Sequence, residues 1–237
     1  MKIIHWNCQG AFRKKHAVIL AYKPDILIIS ECEHPSRLEF GKLVPEPVDY
    51  FWYGDNPHKG VCFLFYNQYS YRIHKVFNSK FRYIIPLIVK TPKLEFNLFG
   101  IWAMGDSEKR SERYIGQVWM ALNAYKSMLS QPSILIGDFN SNQIWDTKAR
   151  VGNHTAVVNL LRDYEIESLY HKQYQLEHGN EEHPTFYLYR KKDKPYHLDY
   201  CFASQSILAK GYEIEIGSFD KWIKDSDHTP IIVNIDS

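Results

Sequence analysis

Residues Asp25–Glu31 read D-I-L-I-I-S-E. Four consecutive aliphatic residues with no polar alternation describe a strand covered on both faces, because a half-exposed strand would alternate with period two. The run is too short to cross a bilayer, which needs about 20 residues. Working outward, similar β-rich runs occur at Lys2–Trp6, Val61–Tyr66, Tyr71–Val76, Tyr83–Val89, Phe96–Ala103, Ser133–Gly137, His197–Ala203 and Ile231–Ile235. With Asp25–Ser30 they make a strand-rich chain. Helical periodicity is scarcer. Ile115, Val118, Trp119, Leu122, Tyr125 and Leu129 recur at three-to-four spacing and predict a helix over Glu112–Leu129. Val157, Leu160 and Leu161 predict another over His154–Tyr164, capped by Asn153, and a short basic helix is expected over Lys14–Tyr22. Many strands with few helices predict an α/β fold of two sheets packed on each other, with helices on the outer faces. No linker, repeat or low-complexity tract divides residues 1–237, so one domain is expected.

Composition narrows the function classes only a little. The net charge of +2 permits a nucleic-acid partner without requiring one, since acidic metal ligands offset a basic rim in phosphate-handling enzymes. Cys8, Cys32, Cys62 and Cys201 show neither C-x-x-C nor finger spacing, and three lie in apolar runs, so buried free thiols are expected. The first ten residues, MKIIHWNCQG, carry no apolar signal region, and a cytoplasmic protein of a reducing compartment fits. No P-loop, G-x-S-x-G or H-E-x-x-H occurs, which argues against an NTPase, a serine hydrolase or a zinc protease.

The informative pattern is what borders the apolar strands. His5-Trp6-Asn7-Cys8-Gln9 ends the first, Ser30-Glu31-Cys32-Glu33 the second, and Gly137-Asp138-Phe139-Asn140 another. His197-Leu198-Asp199 opens a strand, and Ser226-Asp227-His228 precedes the last. Strand ends and the loops beyond them are where such folds place their chemistry. Residues two apart share a face, so Asp138 and Asn140 point into one site with Phe139 turned to the core, and Asn7 and Gln9 are related likewise. Glu31, Asp227 and the amide oxygens of Asn7 and Gln9 are hard donors suited to Mg²⁺ or Mn²⁺. Asp199 and His228 could pair, fixing the imidazole's tautomer and keeping it protonated near a phosphate.

Taken together, W-N-C-Q-G at Trp6–Gly10, D-I-L-I-I-S-E at Asp25–Glu31, G-D-F-N at Gly137–Asn140, H-L-D-Y at His197–Tyr200 and S-D-H-T-P at Ser226–Pro230 resemble the endonuclease/exonuclease/phosphatase superfamily, in family order and over almost the whole chain. The resemblance implies a four-layer α/β sandwich, two mixed sheets with helices outside, and one active site at the mouth between the sheets. It implies Glu31 as the principal ligand of Mg²⁺ or Mn²⁺, with Asn7 and Asp227 nearby. It further implies Asp138 positioning or deprotonating the attacking water, Asn140 and His228 holding the phosphate, and Asp199 orienting His228. These residue types supply nucleophile alignment, charge neutralisation and help for the leaving oxygen. Asp138 and His228 are expected to face solvent at the strand mouth.

Two positions depart from the pattern. Gln9 stands where apurinic endonucleases carry an acidic residue, and an amide binds metal less tightly. Trp102 stands near a position where many relatives have His or Tyr; Trp donates one N–H and cannot serve as a general acid. It either stacks on substrate or packs in the core. Of the remaining segments, His183–Lys192 interleaves aromatics with cations, including Phe186 and Tyr187, as a base-stacking and phosphate-holding surface would, or as a half-buried strand with a basic turn would. His197 is grouped with Phe186, Tyr187, Gln9 and Trp102 as a candidate substrate-binding residue. Arg13-Lys14-Lys15 is either a basic patch at the mouth or the solvated start of a helix. His5, His16, His34, His58, His74, His171 and His178 follow no ligand spacing and are expected to be structural or exposed.

The reading is a monomeric metal-dependent nuclease acting on DNA or RNA. The alternatives are a phosphatase or phosphodiesterase on a small or lipid-derived ester, and a catalytically silent binding module, which has no chemical reason to keep Glu31, Asp138, Asn140, Asp227 and His228 together.

Overall fold

A computed structural model of the chain describes residues 1–39, 42, 45–105, 108–148 and 150–236. In chain order its strands are β1 (Lys2–Asn7), β2 (Ile26–Cys32), β3 (Asp49–Asn56), β4 (Lys59–Phe65), β5 (Ser70–Ile73), β6 (Ile84–Lys90), β7 (Glu95–Trp102), β8 (Ser133–Asp138), β9 (Ile166–Ser168), β10 (Phe186–Tyr187), β11 (Pro195–Tyr196), β12 (Asp199–Ser204), β13 (Tyr212–Ile216) and β14 (Ile231–Ile235). Its helices are α1 (His16–Leu20), α2 (Ile115–Ala124), α3 (Lys126–Leu129), α4 (His154–Arg162), α5 (Leu169–Tyr174), α6 (Gln205–Leu208) and α7 (Phe219–Trp222).

Two six-stranded mixed sheets form, ordered β13-β14-β1-β2-β4-β3 and β5-β6-β7-β8-β12-β9, with β10-β11 a separate ribbon. The parallel pairs β1–β2 and β7–β8 are bridged by helical crossovers; the other pairings are antiparallel. The unbroken apolar runs are explained by burial on both faces. In β2, Ile26 and Ile28 enter the core between the sheets, while Leu27 and Ile29 pack outward with Ile19 and Leu20 of α1. On the far side, Phe99, Leu135 and Phe202 of the second sheet pack against Val118 and Leu122 of α2 and Val157 and Leu161 of α4. The layers are therefore helix, sheet, sheet, helix.

Departures from the sequence expectations have local causes. The expected helix over Glu112–Leu129 starts only at Ile115 and breaks at Tyr125, whose φ of −101° and ψ of 17° leave the helical region. The basic helix over Lys14–Tyr22 shortens to α1, after a 3₁₀ turn at Phe12–Lys14. The strand expected from His197 begins at Asp199, because the N–H groups of Leu198 and Asp199 both donate to Thr185 Oγ1 (2.9 and 3.0 Å). The strand expected over Tyr71–Val76 spans Ser70–Ile73, as His74 begins a turn closed by Phe77 N–H. The edge strands β3 and β13 were not anticipated; each is half-exposed and lacks the apolar run that marks an interior strand. All four cysteines are buried free thiols. Among the described residues no helix is long and apolar enough to cross a membrane.

Topology gathers the polar strand ends. Asn7, Glu31 and Asp138 lie at or near the C-terminal ends of β1, β2 and β8, Asp199 opens antiparallel β12, and Asp227-His228 leads into antiparallel β14. All emerge at one mouth between the sheets.

Candidate active site

Local backbone geometry aims each side chain. In β1 the alternation turns Ile3 to the inter-sheet core and Ile4, Trp6 and Cys8 to the outer layer, so His5 and Asn7 face inward. Glu31 sits at a bulge where the β2–β4 register shifts, with φ of 59°. A bulge re-aims the side chain at a strand's end, and the left-handed conformation of a non-glycine residue costs of order 1–3 kcal/mol, which the surrounding sheet must offset. Asn140 is also left-handed (φ 47°), just past the end of β8. That curl brings its amide Nδ2 to 3.1 Å from Asp138 Oδ2, while Phe139 is buried in the core. Gly137 permits the approach of β8 to β7: a Cβ there would lie 2.0 Å from the Ile101 carbonyl oxygen.

These residues form one chain of contacts. Asn7 Nδ2 donates to Glu31 Oε1 (3.4 Å) and to Asp138 Oδ2 (3.0 Å), while its oxygen accepts from Gln9 N–H (3.0 Å). The NH₂ end of Asn7 thus faces the carboxylates. Asp138 Oδ1 accepts from Asn140 N–H (2.8 Å). His228 Nε2 lies 3.9 Å from Asp138 Oδ2, and its Nδ1 lies 2.8 Å from Asp199 Oδ2. The His228 segment is clamped from the first sheet: Trp6 Nε1 donates to the His228 carbonyl (3.0 Å), and Ser226 Oγ donates to the Asn7 carbonyl (2.7 Å).

Contrary to the expectation of solvent-facing side chains, Asp138 is 1% and His228 5% exposed. Burial therefore dominates their electrostatics. It would depress the His228 pKa, but Asp199 and Asp138 reverse the effect and raise it to about 10, so the ring is an imidazolium at neutral pH. Burial, reinforced by the charge of Asp199, pushes Asp138 up to about 7. Burial opposes ionisation of Asp199 too, yet the imidazolium holds its pKa below the ordinary carboxylate value.

At the rim, Gln9 Nε2 donates to Asp227 Oδ2 (2.6 Å), and Arg190 Nε donates to Gln9 Oε1 (3.1 Å). Asp227 is held above the usual carboxylate range by burial, with the charge of Glu31 adding to it. Glu31 and Asp227 are hard carboxylate donors that fit a dication, and Glu31 already attracts the ammonium of Lys59 at 2.5 Å. The expected amide-oxygen ligands are not formed, because Asn7 and Gln9 turn their NH₂ groups to carboxylates and their oxygens accept from Gln9 N–H and Arg190. Asp138, Asp199 and His228 also cluster within ligand distances, but there the imidazolium already serves as the counter-cation. A second cluster, His171, His178 and Glu181, pairs internally through His171 Nε2 and Glu181 Oε1 (3.0 Å).

The remaining candidates are distributed unevenly. The Phe186 ring lies 4.7 Å from the His228 ring. Tyr187 is buried, with its N–H on the Asp227 carbonyl (2.8 Å) and its ring on Phe219. Trp102 pairs in register with Asp138, yet its indole is 6% exposed and stacks on Tyr83 at 5.4 Å. His197 is 3% exposed; its ring packs on Tyr170 (4.6 Å) and Tyr200 (4.9 Å), and its Nδ1 pairs with the His183 carbonyl (2.7 Å). The structure does not bring His197 into the contact chain. Of the basic cluster, Arg13 pairs with buried Glu33 (2.5 Å) and Lys15 reaches the carbonyls of Cys8 and Asp225, so both tie down the loop after β1. A cavity of about 480 Å³ opens at the opposite end of the strands, beside Asp25, Tyr69 and Asp236, and holds none of the candidate residues.

Sequence reasoning did not place three neighbours. His5 lies beneath the site, 3.5 Å from Asp199 Oδ1 and 3.1 Å from Ser30 Oγ, with burial pushing its pKa to about 4. Its position two residues before Asn7 on one strand was the available signal. Lys59 arrives through β4 with nothing local to mark it. Arg190 arrives through the turn after β10, where the basic run of His183–Lys192 marked a cation but not its partner Gln9.

A family model described as the Endonuclease/Exonuclease/phosphatase family matches residues 4–228. No curated protein matches by sequence. Among solved structures, a 3'-5' exonuclease from Neisseria meningitidis is similar at 17% identity, with a TM-score of 0.71 and 100% of both chains covered. An AP endonuclease from Archaeoglobus fulgidus is similar at 18% identity, with a TM-score of 0.70 and 100% of both chains covered. Truncated TDP2 from Caenorhabditis elegans shares 12% identity, with a TM-score of 0.69 over 100% of this chain and 97% of that one. With its two packed mixed sheets, its polar strand ends at one mouth and a family match spanning nearly its whole length, the chain belongs to the endonuclease/exonuclease/phosphatase family.

Proposed function

We propose that this protein is a divalent-metal-dependent phosphodiesterase that hydrolyses DNA or RNA. The observation that carries the reading is the contact chain Glu31–Asn7–Asp138–His228–Asp199, which sets a cation-attracting carboxylate, a buried base and an imidazole held cationic at neutral pH side by side. Glu31 and Asp227 would hold Mg²⁺ or Mn²⁺. Such an ion supplies neutralisation of the phosphate oxygens and of the leaving oxygen.

The protein's own groups do the rest. Asp138, held still by Asn7 and Asn140, accepts the proton of the attacking water; a carboxylate with a pKa near 7 combines a usable ionised fraction with basicity. His228, kept cationic by Asp199, donates from Nε2 to a phosphate oxygen as negative charge builds there. Because both dipoles and charges are fixed before the substrate arrives, little reorganisation is needed during reaction. The named solved structures include proteins described as an exonuclease and an AP endonuclease, which supports a nucleic-acid substrate over a small ester.

The test is a screen with Mg²⁺ or Mn²⁺, with and without EDTA, on plasmid, single-stranded oligonucleotide, abasic duplex and a generic phosphodiester. Metal-dependent scission of at least one nucleic acid is expected. Turnover of the small ester alone, or full activity in EDTA, would refute the assignment.

A further inference from the structure

Three segments at the mouth lie side by side in register. Phe186 of β10 is paired with Tyr196 of β11, and on its other side it forms an isolated antiparallel bridge with His228. Residues directly opposite on neighbouring strands share a face of the pleat, so their side chains form a row. The ring centroids follow that row: His228 to Phe186 is 4.7 Å, and Phe186 to Tyr196 is 6.4 Å with planes 31° apart. The row continues past the ribbon, where the Trp145 indole lies 5.2 Å from the Tyr196 ring.

Exposure rises along it. His228 is 5% exposed, Phe186 and Tyr196 are half-buried, and Trp145 is 49% exposed. Trp145 stands on a 3₁₀ turn, Gln143–Trp145, that the interior holds rigid. The buried Asn142 accepts from Ile144 N–H (3.0 Å) and donates to the His197 carbonyl (3.0 Å) and Tyr200 Oη (3.2 Å). A large aromatic kept half in water on a fixed turn is not needed by any of the apolar cores, none of which contains it. The turn that joins β10 to β11 is basic, with Arg190, Lys191, Lys192 and Lys194, and Arg190 reaches Gln9 at the mouth. A row of rings beside a basic turn matches bases linked by phosphates.

We propose that Trp145, backed by Tyr196 and Phe186, is a stacking rail for unpaired nucleobases, so that the strand leaving His228 is single-stranded or frayed where it crosses Trp145. The proposal rests on the nuclease reading and deepens it by naming the form of the substrate. Bases inside a duplex are already covered on both faces by their neighbours, whereas an unpaired base offers a free face to the ring.

The experiment is fluorescence anisotropy on the full chain, in EDTA so that no strand is cut, with a labelled single-stranded oligonucleotide and a blunt duplex. Trp145→Ala should weaken single-strand binding by about fivefold to a hundredfold, the range for one base–aromatic stack, and duplex binding far less. Trp145→Phe, which keeps a ring, should retain most of the affinity. A single abasic residue stepped along the oligonucleotide should cost the wild type that same factor at one position and cost Trp145→Ala nothing further there. The rail is overturned if Trp145→Ala binds the single strand like wild type, if strand and duplex lose equally, or if Phe fails as badly as Ala. Wild-type scission with no Trp145 effect would remove the rail alone. A Trp145-dependent affinity in a protein that cuts no phosphodiester would remove the nuclease reading alone.

Discussion

The ammonium of Lys59, carried on β4, lies 2.5 Å from Oε2 of Glu31 at the bulge of β2. Glu31 is the unpaired residue between the Ser30–Val61 and Cys32–Gly60 pairs, so Lys59, next to Gly60 on β4, reaches it diagonally across the bulge. Lys59 is therefore a built-in competitor for the carboxylate expected to hold the metal. Lys59→Met should lower the Mg²⁺ concentration for half-maximal rate, by about fivefold at most, since a half-exposed ion pair is worth up to about 1 kcal/mol. Glu31→Gln should raise it. A metal titration of both variants checks this; a higher metal requirement in Lys59→Met would show the lysine supporting the ion or the phosphate instead.

Asp138→Asn and His228→Ala should each lower turnover by at least about 10²-fold, the usual scale for an acid–base or charge-stabilising group. Asp199→Asn should cost less than loss of His228, because it acts only through the imidazole at 2.8 Å. The double variant Asp199→Asn/His228→Ala should be no worse than His228→Ala alone. Fully additive losses would show that the pair does not act as a unit.

Trp102 is placed to pack rather than to meet substrate, being 6% exposed and stacked on Tyr83. Trp102→Ala should therefore cost about 3–5 kcal/mol of stability. Activity on nucleic acid and on a small phosphodiester should fall together. Thermal melts beside the two assays decide the matter: unchanged stability with a loss confined to nucleic acid would return Trp102 to the substrate surface.

The metal-free protein should lose stability on acidification. Burial holds His5, His154 and His197 at about 4 and His178 at about 2, against 6.5 for the free group, so they are neutral in the fold. Below pH 6.5 the unfolded chain binds protons that the folded chain refuses. Stability is thus fully present above pH 6.5 and falls as the pH drops towards 4, by up to about 1.4 kcal/mol per pH unit for each proton. Asp138, raised to about 7, opposes this with one proton. His228 acts at the other end: its contribution is complete below pH 6.5 and is lost as the pH rises towards 10. Melting temperatures across this range should peak near neutrality, and His178→Gln should flatten the acid side. A flat profile between pH 6.5 and 4.5 would contradict the burial assigned to these rings.

The layers of the fold were legible because two-sided burial leaves a local mark. Ile26–Ile29 alternate between inner and outer cores, so no polar residue is tolerated in the run. Polar strand ends such as Gly137–Asn140 and Ser226–His228 were equally visible, as hydrogen-bonding groups cluster where apolar cover stops. Asp138 and Asn140 do share a site, but through a left-handed curl at Asn140 and not through strand alternation.

What tertiary structure alone decided are the relationships set by register between distant strands. Lys59 meets Glu31 across 28 residues of chain, and Arg190 meets Gln9 across 181. The row His228–Phe186–Tyr196–Trp145 draws on three separate stretches of sequence. Side-chain periodicity reports whether a position is buried, but not which strand will lie opposite it. The burial of Trp102 and the withdrawal of His197 from the mouth followed from that same pairing, because the neighbours that cover them, Tyr83 and Tyr170, come from other elements of the chain.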